Sequence, residues 1–318
     1  MFKPDGKYPI ELHSFLAEQN KTWELCRSNY DALKRVLTKE FTIDGNIVRV
    51  QFNPARLTST SAKVDSASIT ARKCFLCREN RPPEQNDFHL DEQFYVLVNP
   101  FPIFPEHFTV TLKDHLPQEI GGRIKELLRI TSELTAEYIV FYNGPKCGAS
   151  APDHFHFQAG NKDFLPLFGA DGIKSENILW SKQFQSASAK GIDDGLRKFV
   201  LIESPDRADA EELFVLFDSA YRRHRKDSAE PLYNLVCAKE GEAYKLVVLL
   251  RAKHRPGYYF AEGPEQVLLS PASVDVCGVC ITPREEDFNK VNEVMLKNIF
   301  SEVFISREEL ISSGEIKI

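Results

Sequence analysis

The sequence predicts an α+β fold built on antiparallel sheet. Strand-like and helix-like stretches alternate, yet short hairpins keep recurring between them, which favours antiparallel over parallel pairing. The order strand, helix, strand, strand also occurs twice along the chain, which points to a duplication without sequence identity.

Residues 43–53 read as one arm of a hairpin, because Asp44-Gly45 is a strong type I′ turn signal and Val48, Val50 and Phe52 alternate with Arg49 and Gln51. The polar, Ser/Thr-rich stretch 54–73 reads as a long loop, and a compact domain rarely keeps such a loop without a use for it. Strands follow at 95–98 and 108–112, separated by a proline-rich segment. Pro117 opens a helical face of Ile120, Ile124, Leu127, Leu128 and Leu134. Strand character returns at 138–142, runs into a glycine-bearing turn, and resumes at 154–158. The mixed stretch 160–195 is taken as the boundary between an N-terminal half, 1–175, and a C-terminal half, 195–318. The second half then offers a strand at 198–203, an amphipathic helix at 210–223, and a hairpin of 233–238 with 244–250.

Composition narrows the function. The 318 residues are 42% hydrophobic and 27% charged, enough for a substantial core. Forty Lys and Arg against 46 Asp and Glu give a net charge of −6, which disfavours a nucleic-acid binder held by phosphate contacts. The longest strongly apolar run, 246–250, is too short to cross a bilayer. The first residues lack a charged-then-apolar pattern, so a cytoplasmic, soluble protein is expected. Seven cysteines, an odd number, fit metal ligands or incidental thiols better than a disulfide framework.

Three motifs carry chemistry. Cys74-Phe75-Leu76-Cys77 places two thiolates three residues apart, so both can reach one Zn²⁺ at about 2.3 Å, and a tetrahedral site then needs two more ligands. In His154-Phe155-His156-Phe157-Gln158, strand alternation puts His154, His156 and Gln158 on one surface and both phenylalanines on the other. The turn before it, residues 143–150, can present backbone N–H groups to a phosphate. The third motif, residues 107–115, holds His107 and His115. Either could complete a site with Cys74, Cys77 and His154, and His107 could equally bind substrate or cap the sheet. Arg56, Lys63 and Lys146 are candidate phosphate partners, each equally readable as a solvated surface charge. Cys277-Gly278-Val279-Cys280 lies in an apolar stretch and reads as buried thiols. Arg251-Ala252-Lys253-His254-Arg255 follows a strand, where a duplicated fold could set positive groups opposite His156.

Taken together, CFLC, VNPFPIFPEHFTVTLKDH and NGPKCGASAPDHFHFQ resemble the histidine-triad superfamily in its galactose-1-phosphate uridylyltransferase branch, with the related dinucleoside polyphosphate and GDP-hexose phosphorylases. The likeness covers roughly residues 45–160. It implies a duplicated histidine-triad-like antiparallel sheet with flanking helices, the second half being degenerate. It also implies a zinc ion on Cys74, Cys77, His115 and His154, and His156 as a nucleophile that takes up a nucleotidyl group. Gln158 and Ser150 would act beside it on the phosphate. Asn99 and Phe101, Asn143, Gly148 and Ala149, with Arg56 and Lys63, would contact the nucleotide. The implied substrates are a sugar nucleotide or dinucleoside polyphosphate, with phosphate or a sugar phosphate as acceptor, and by analogy a homodimer. A non-catalytic zinc-stabilised nucleotide binder, a histidine-triad hydrolase and a metal-dependent oxygenase using both motif histidines are the alternatives. The chain departs from the family pattern in four places. Phe155 stands where proline is usual, Pro100 follows Asn99 in place of aspartate, and Gly148-Ala149-Ser150 sits one residue further from His154. The C-terminal half has no second HxH.

Overall fold

The computed structural model describes residues 7–61, 65–134, 136–170, 172–225 and 230–315. The chain opens with helices α1 (Lys7–Thr22) and α2 (Glu24–Leu33), then strands β1 (Leu37–Ile43) and β2 (Asn46–Phe52). Asp44 and Gly45 connect these strands with φ of 49° and 78°, the two positive values a type I′ turn needs. The stretch expected as a long loop instead winds into short helices α3 (Leu57–Thr60) and α4 (Ser66–Thr70). Asp65 caps the second of these by accepting from the Ser68 N–H, a local bond that Ser/Thr/Asp-rich sequence readily makes.

Next come β3 (Asp87–His89), β4 (Phe94–Val98), β5 (His107–Leu112), α5 (Ile124–Leu134), β6 (Tyr138–Asn143) and β7 (His156–Asn161). The helix expected from Pro117 starts only at Ile124. Gly122 sits at φ +75°, and Gln118 in the preceding segment bonds to the backbone of β6 and β7 and not into the helix. The motif strand likewise begins at His156 and not at His154.

The second half supplies β8 (Ile178–Phe184), β9 (Ala187–Asp193), β10 (Lys198–Ser204), α6 (Arg207–Arg225), β11 (Tyr233–Glu240) and β12 (Ala243–Leu250). The irregular boundary expected at 160–195 therefore contains two strands. Their pattern is obscured because β8 is an edge strand with exposed polar positions. In β9, Gly191 lets the Trp180 ring lie so close that a Cβ would meet it at 2.2 Å. After α7 (Gly257–Phe260) and α8 (Ser273–Val276), the chain ends with β13 (Val279–Thr282), α9 (Glu285–Lys290), α10 (Glu293–Val303) and α11 (Arg307–Ser313).

Among the described residues, ten strands form one antiparallel sheet in the order β3-β4-β5-β7-β6-β11-β12-β10-β9-β8. The order β4-β5-β7-β6 is repeated in mirror as β11-β12-β10-β9, and each half carries one long helix against its strands, α5 in the first and α6 in the second. The halves join where β6 pairs with β11, Asn143 opposite Asn234. We propose a first half of 1–175 as expected and a second half that begins at about residue 178 in place of 195, so that it includes β8 and β9.

Both faces of the sheet are covered. Alternation along β6 sends Tyr138, Val140 and Tyr142 into a core beneath α1, α2, α5 and α6, and Ile139 and Phe141 into a core on the other side. That second core is closed by the small sheet β1-β2-β13 and by α10. The N-terminal half breaks the pattern on this side. There the outward positions of β5 and β7 are His107, Thr109, Thr111, His156 and Gln158, and Thr109, His156 and Gln158 floor a cavity instead of a core.

Candidate active site

Phe155 and Phe157 are fully buried on the helical side, their ring centroids 4.9 Å apart in an edge-to-face contact, and they pack against Phe94 and Tyr142. This aromatic cluster fixes the start of β7, so His156 and Gln158 project the opposite way into a cavity of about 620 Å³. Asn99, Phe101, Asn143, Gly148, Ala149, Ser150 and Arg56 line the same cavity. Lys63 lies outside the described residues. Lys146 is exposed and is not among the lining residues, so it reads as a surface charge.

His154 does not share a surface with His156 and Gln158, because the strand begins after it. Its ring turns toward Cys74, Cys77 and His115. The His154 Nδ1 stands 3.3 Å from the Cys74 Sγ, 3.5 Å from the Cys77 Sγ and 3.3 Å from the His115 Nδ1, and the Cys77 Sγ is 3.2 Å from that same His115 atom. Bonds of about 2.0–2.3 Å at tetrahedral angles would separate ligand atoms by about 3.3–3.8 Å. The four donors thus already stand close to the edges of a tetrahedron, and all lie within 4.8 Å of one another. The His154 Nε2–H donates to the Leu112 carbonyl at 2.8 Å, which leaves Nδ1 with its lone pair facing the thiols. The residues fit a metal ion. Of the two histidines left open by the sequence, His115 joins the cluster and His107 does not.

His107 has a different task. Its Nδ1 accepts from the Ile103 N–H at 3.1 Å, so Nε2 carries the proton and donates to the Gln158 Oε1 at 2.9 Å. The Gln158 amide is thereby oriented, with its oxygen engaged. Burial, and then the charge of Arg56, push the His107 imidazole down to about 3, so it stays neutral.

His156 is held from three directions. Its Nδ1 lies 2.9 Å from the His154 carbonyl and its backbone N–H donates to the Gln118 Oε1 at 2.8 Å, while the Gln118 Nε2 donates back to the His156 carbonyl at 2.9 Å and to the Asn143 carbonyl at 3.1 Å. The carbonyl fixes the tautomer: Nδ1 bears the proton and Nε2 keeps its lone pair. Burial pushes this imidazole down to about 4. Gln118 was invisible as a site residue, since a lone glutamine in a loop gives no signal of bonds made 25 and 38 positions away.

The Asn143 Oδ1 accepts from the Asn234 Nδ2 at 2.9 Å and from the Ser273 N–H and Oγ at 2.9 and 2.7 Å. Its amide nitrogen is therefore the group left for a ligand, and the C-terminal half sets that orientation. Gly148 takes φ +98° against Ala272, where a Cβ would come within 2.5 Å, so the turn 144–150 fits only with glycine there. Within that turn the Cys147 and Ala149 N–H groups donate to the Gly144 carbonyl. Asn99 accepts from the Phe101 N–H at 3.0 Å, which shapes the loop carrying Phe101.

A duplicated antiparallel sheet with an HxHxQ strand over a cavity and a Cys/His cluster at its edge defines a duplicated histidine-triad fold. Residues 15–161 match the family described as Domain of unknown function (DUF4922). A galactose-1-phosphate uridylyltransferase of Halalkalibacterium halodurans is 26% identical over 280 residues, covering 76% of this chain and 53% of that protein. Protein APA1 of Saccharomyces cerevisiae is 21% identical over 229 residues, covering 64% of this chain and 65% of its own. The chain thus spans about half the length of the first of these relatives. Among solved structures, yeast Ap4A phosphorylase Apa2 shares the fold with a TM-score of 0.57 at 17% identity, covering 89% of this chain and 96% of that one. In sequence and in fold the chain is thus similar to the galactose-1-phosphate uridylyltransferase-like branch of the histidine-triad superfamily. No helix among the described residues is long and apolar enough to cross a membrane.

Proposed function

We propose that the protein is a nucleotidyltransferase that moves a nucleoside monophosphate from a sugar nucleotide or dinucleoside polyphosphate, through His156, to phosphate or a sugar phosphate. The observation that carries this reading is the Nδ1 contact of His156 with the His154 carbonyl, which leaves Nε2 as a nucleophile on the cavity wall. In the first step the Nε2 lone pair attacks the α-phosphorus. A P–N bond forms, the P–O bond to the departing phosphate breaks, and that oxygen leaves with the electron pair. In the second step an acceptor phosphate oxygen attacks the same phosphorus, the P–N bond breaks, and its electrons return to Nε2. Gln158 donates its amide hydrogen to a phosphoryl oxygen, and Ser150 and the Asn143 amide do the same from the facing wall.

The metal cluster would hold Zn²⁺ through Cys74, Cys77, His115 and His154. With four protein ligands such an ion would serve structurally, and His154, one of the four, would then hold in place the carbonyl that sets the tautomer of His156. The relatives with galactose-1-phosphate uridylyltransferase and Ap4A phosphorylase activity in their names support a substrate of nucleotide class. Intact mass spectrometry after mixing the protein with single donors tests the reading: a nucleoside monophosphate bound to His156 is expected, and its absence with every donor counts against the transfer.

A further inference from the structure

Arg251, just past β12, is fully buried, yet every hydrogen bond its guanidinium makes among the described residues ends on an amide oxygen. The Nε donates to the Val303 carbonyl at 3.2 Å, and Nη2 to the carbonyls of Lys253, His254 and Pro271 at 3.2, 2.9 and 3.1 Å. The Nη1 donates to the Asn234 Oδ1. Asp275 acts on this cation by charge, but its own oxygens accept from the Ala272 and Ile281 N–H groups, both at 2.9 Å. A buried cation with no carboxylate bonded to it is destabilising, and an apolar side chain of similar volume would avoid that cost. The charge therefore does something that an apolar side chain cannot.

A guanidinium only donates and does not lose its proton. It forces Asn234 to turn its oxygen inward, and the Cys147 carbonyl, which only accepts, holds the Asn234 Nδ2 from the other side at 2.8 Å. With that polarity set, the same Nδ2 donates to the Asn143 Oδ1 at 2.9 Å. The Ser273 N–H, again only a donor, takes the same oxygen at 2.9 Å. Asn143 is left one way round, its oxygen inside and its Nδ2 toward the cavity it lines. Arg251 and Asn234 are both buried and do not line that cavity. Each amide that has a donor on its oxygen becomes a stronger donor through its nitrogen, so part of the Arg251 charge is felt at Asn143.

We propose that Arg251 is a positioning residue: acting through Asn234, it fixes the Asn143 amide as a hydrogen-bond donor into the cavity and strengthens it toward a phosphoryl oxygen. The ligand atom that faces Asn143 is accordingly an acceptor and not an N–H group. The C-terminal half, which has no second HxH of its own, thus contributes the polarity of a group in the N-terminal half. Naming the ligand atom as a phosphoryl oxygen rests on the transfer proposed for His156; the orientation of the amide does not.

Neutron diffraction from deuterated crystals of the full chain shows which Asn143 atom carries deuterons. In the wild type they are expected on the atom facing the cavity, and deuterons on the atom facing Ser273 would overturn the proposal without any variant. Two substitutions of Asn234 then separate polarity from packing. Asn234→Asp keeps an acceptor for Arg251, in an ion pair that holds the new carboxylate ionised, but sets its second oxygen against the Asn143 Oδ1. The Asn143 amide is expected to turn over in this variant. Asn234→Ala removes more atoms and opposes nothing, so Ser273 is expected to keep the amide as it was. An unturned amide in Asn234→Asp would overturn the relay. The single-turnover rate of His156 labelling is expected to fall about a hundredfold in Asn234→Asp, where a donor to the phosphoryl group is replaced by an oxygen. In Asn234→Ala it is expected to fall about tenfold or less. Equal losses in the two variants would show a merely structural part for Asn234 and overturn the proposal. If no donor labels His156 while the amide turns in Asn234→Asp alone, the transfer reading fails and the relay stands. If His156 is labelled while the amide stays put in both variants, the relay fails and the transfer stands.

Discussion

The His154 carbonyl oxygen lies 2.9 Å from the Nδ1 of His156, so a single peptide serves two centres. The side chain of His154 points to the Cys/His cluster while its carbonyl fixes the proton on the neighbouring imidazole. Whatever stiffens the cluster stiffens His156.

The cluster and the cavity can be separated by their second histidines. His115→Ala should lower bound zinc, measured by elemental analysis, and lower the melting temperature, because a ligand is lost. His107→Ala should leave zinc content unchanged and lower kcat by about tenfold, because the freed Gln158 amide no longer points at the phosphate. Zinc lost from the His107 variant and kept by the His115 variant would reassign the ligand.

Gln118 is expected to matter as much as a motif residue. It is fully buried and makes three bonds to the backbone of His156 and Asn143. Gln118→Ala leaves these backbone groups unpaired, at a cost of about 2–4 kcal/mol in chemical unfolding. The same substitution should reduce kcat more than it raises KM, since it loosens His156, the proposed nucleophile, and touches no ligand. An unchanged kcat in a destabilised variant would show that Gln118 is scaffold only.

Glu230 gives the fold a pH dependence. Its carboxylate oxygens accept from the Ile120 N–H at 2.6 Å and the Tyr142 hydroxyl at 2.8 Å, with Asp218 and Arg222 of α6 nearby. Burial pushes its pKa from 4.5 up to about 7. The folded state therefore keeps a proton that the unfolded chain gives up, and stability falls as pH rises from about 4.5 to 7 and is level above. The loss amounts to about 3 kcal/mol at most. Glu230→Gln imitates the protonated acid, its amide oxygen accepting from Ile120 and its amide nitrogen donating to the Tyr142 oxygen. It should therefore gain on the wild type as pH is raised from 5 to 8 in urea unfolding. Parallel stability curves would contradict this.

Much of the site was legible because it obeys simple periods. Alternation in HFHFQ puts Phe155 and Phe157 in the core and His156 and Gln158 on the cavity, and the spacing of Cys74 and Cys77 offers two of the four donors that the fold gathers into one cluster able to hold a metal. The Asp44-Gly45 turn was equally plain. What escaped depends on contacts between distant residues. The strand start at His156, which frees His154 for the cluster, is held by Gln118 as well as by the aromatic cluster, since Gln118 bonds both backbone groups of His156. The strands β8 and β9 hide behind a glycine that a tryptophan covers. The proton on His107 is decided by the Ile103 N–H, a bond that only the folded loop creates. His254 and Arg255 stood out as basic residues at a strand end, but their place on the cavity required the duplicated sheet to be closed.

The central claim is that His156 carries the nucleotidyl group. Intact mass would be measured after mixing zinc-loaded protein, without acceptor, with UDP-glucose, a GDP-hexose, ADP-glucose and diadenosine tetraphosphate in turn. The account predicts one added nucleoside monophosphate with at least one donor, absent in His156→Gly and discharged when inorganic phosphate or a sugar phosphate is added. An unmodified mass with every donor, from protein that binds those nucleotides, would contradict it and leave a zinc-stabilised nucleotide-binding protein.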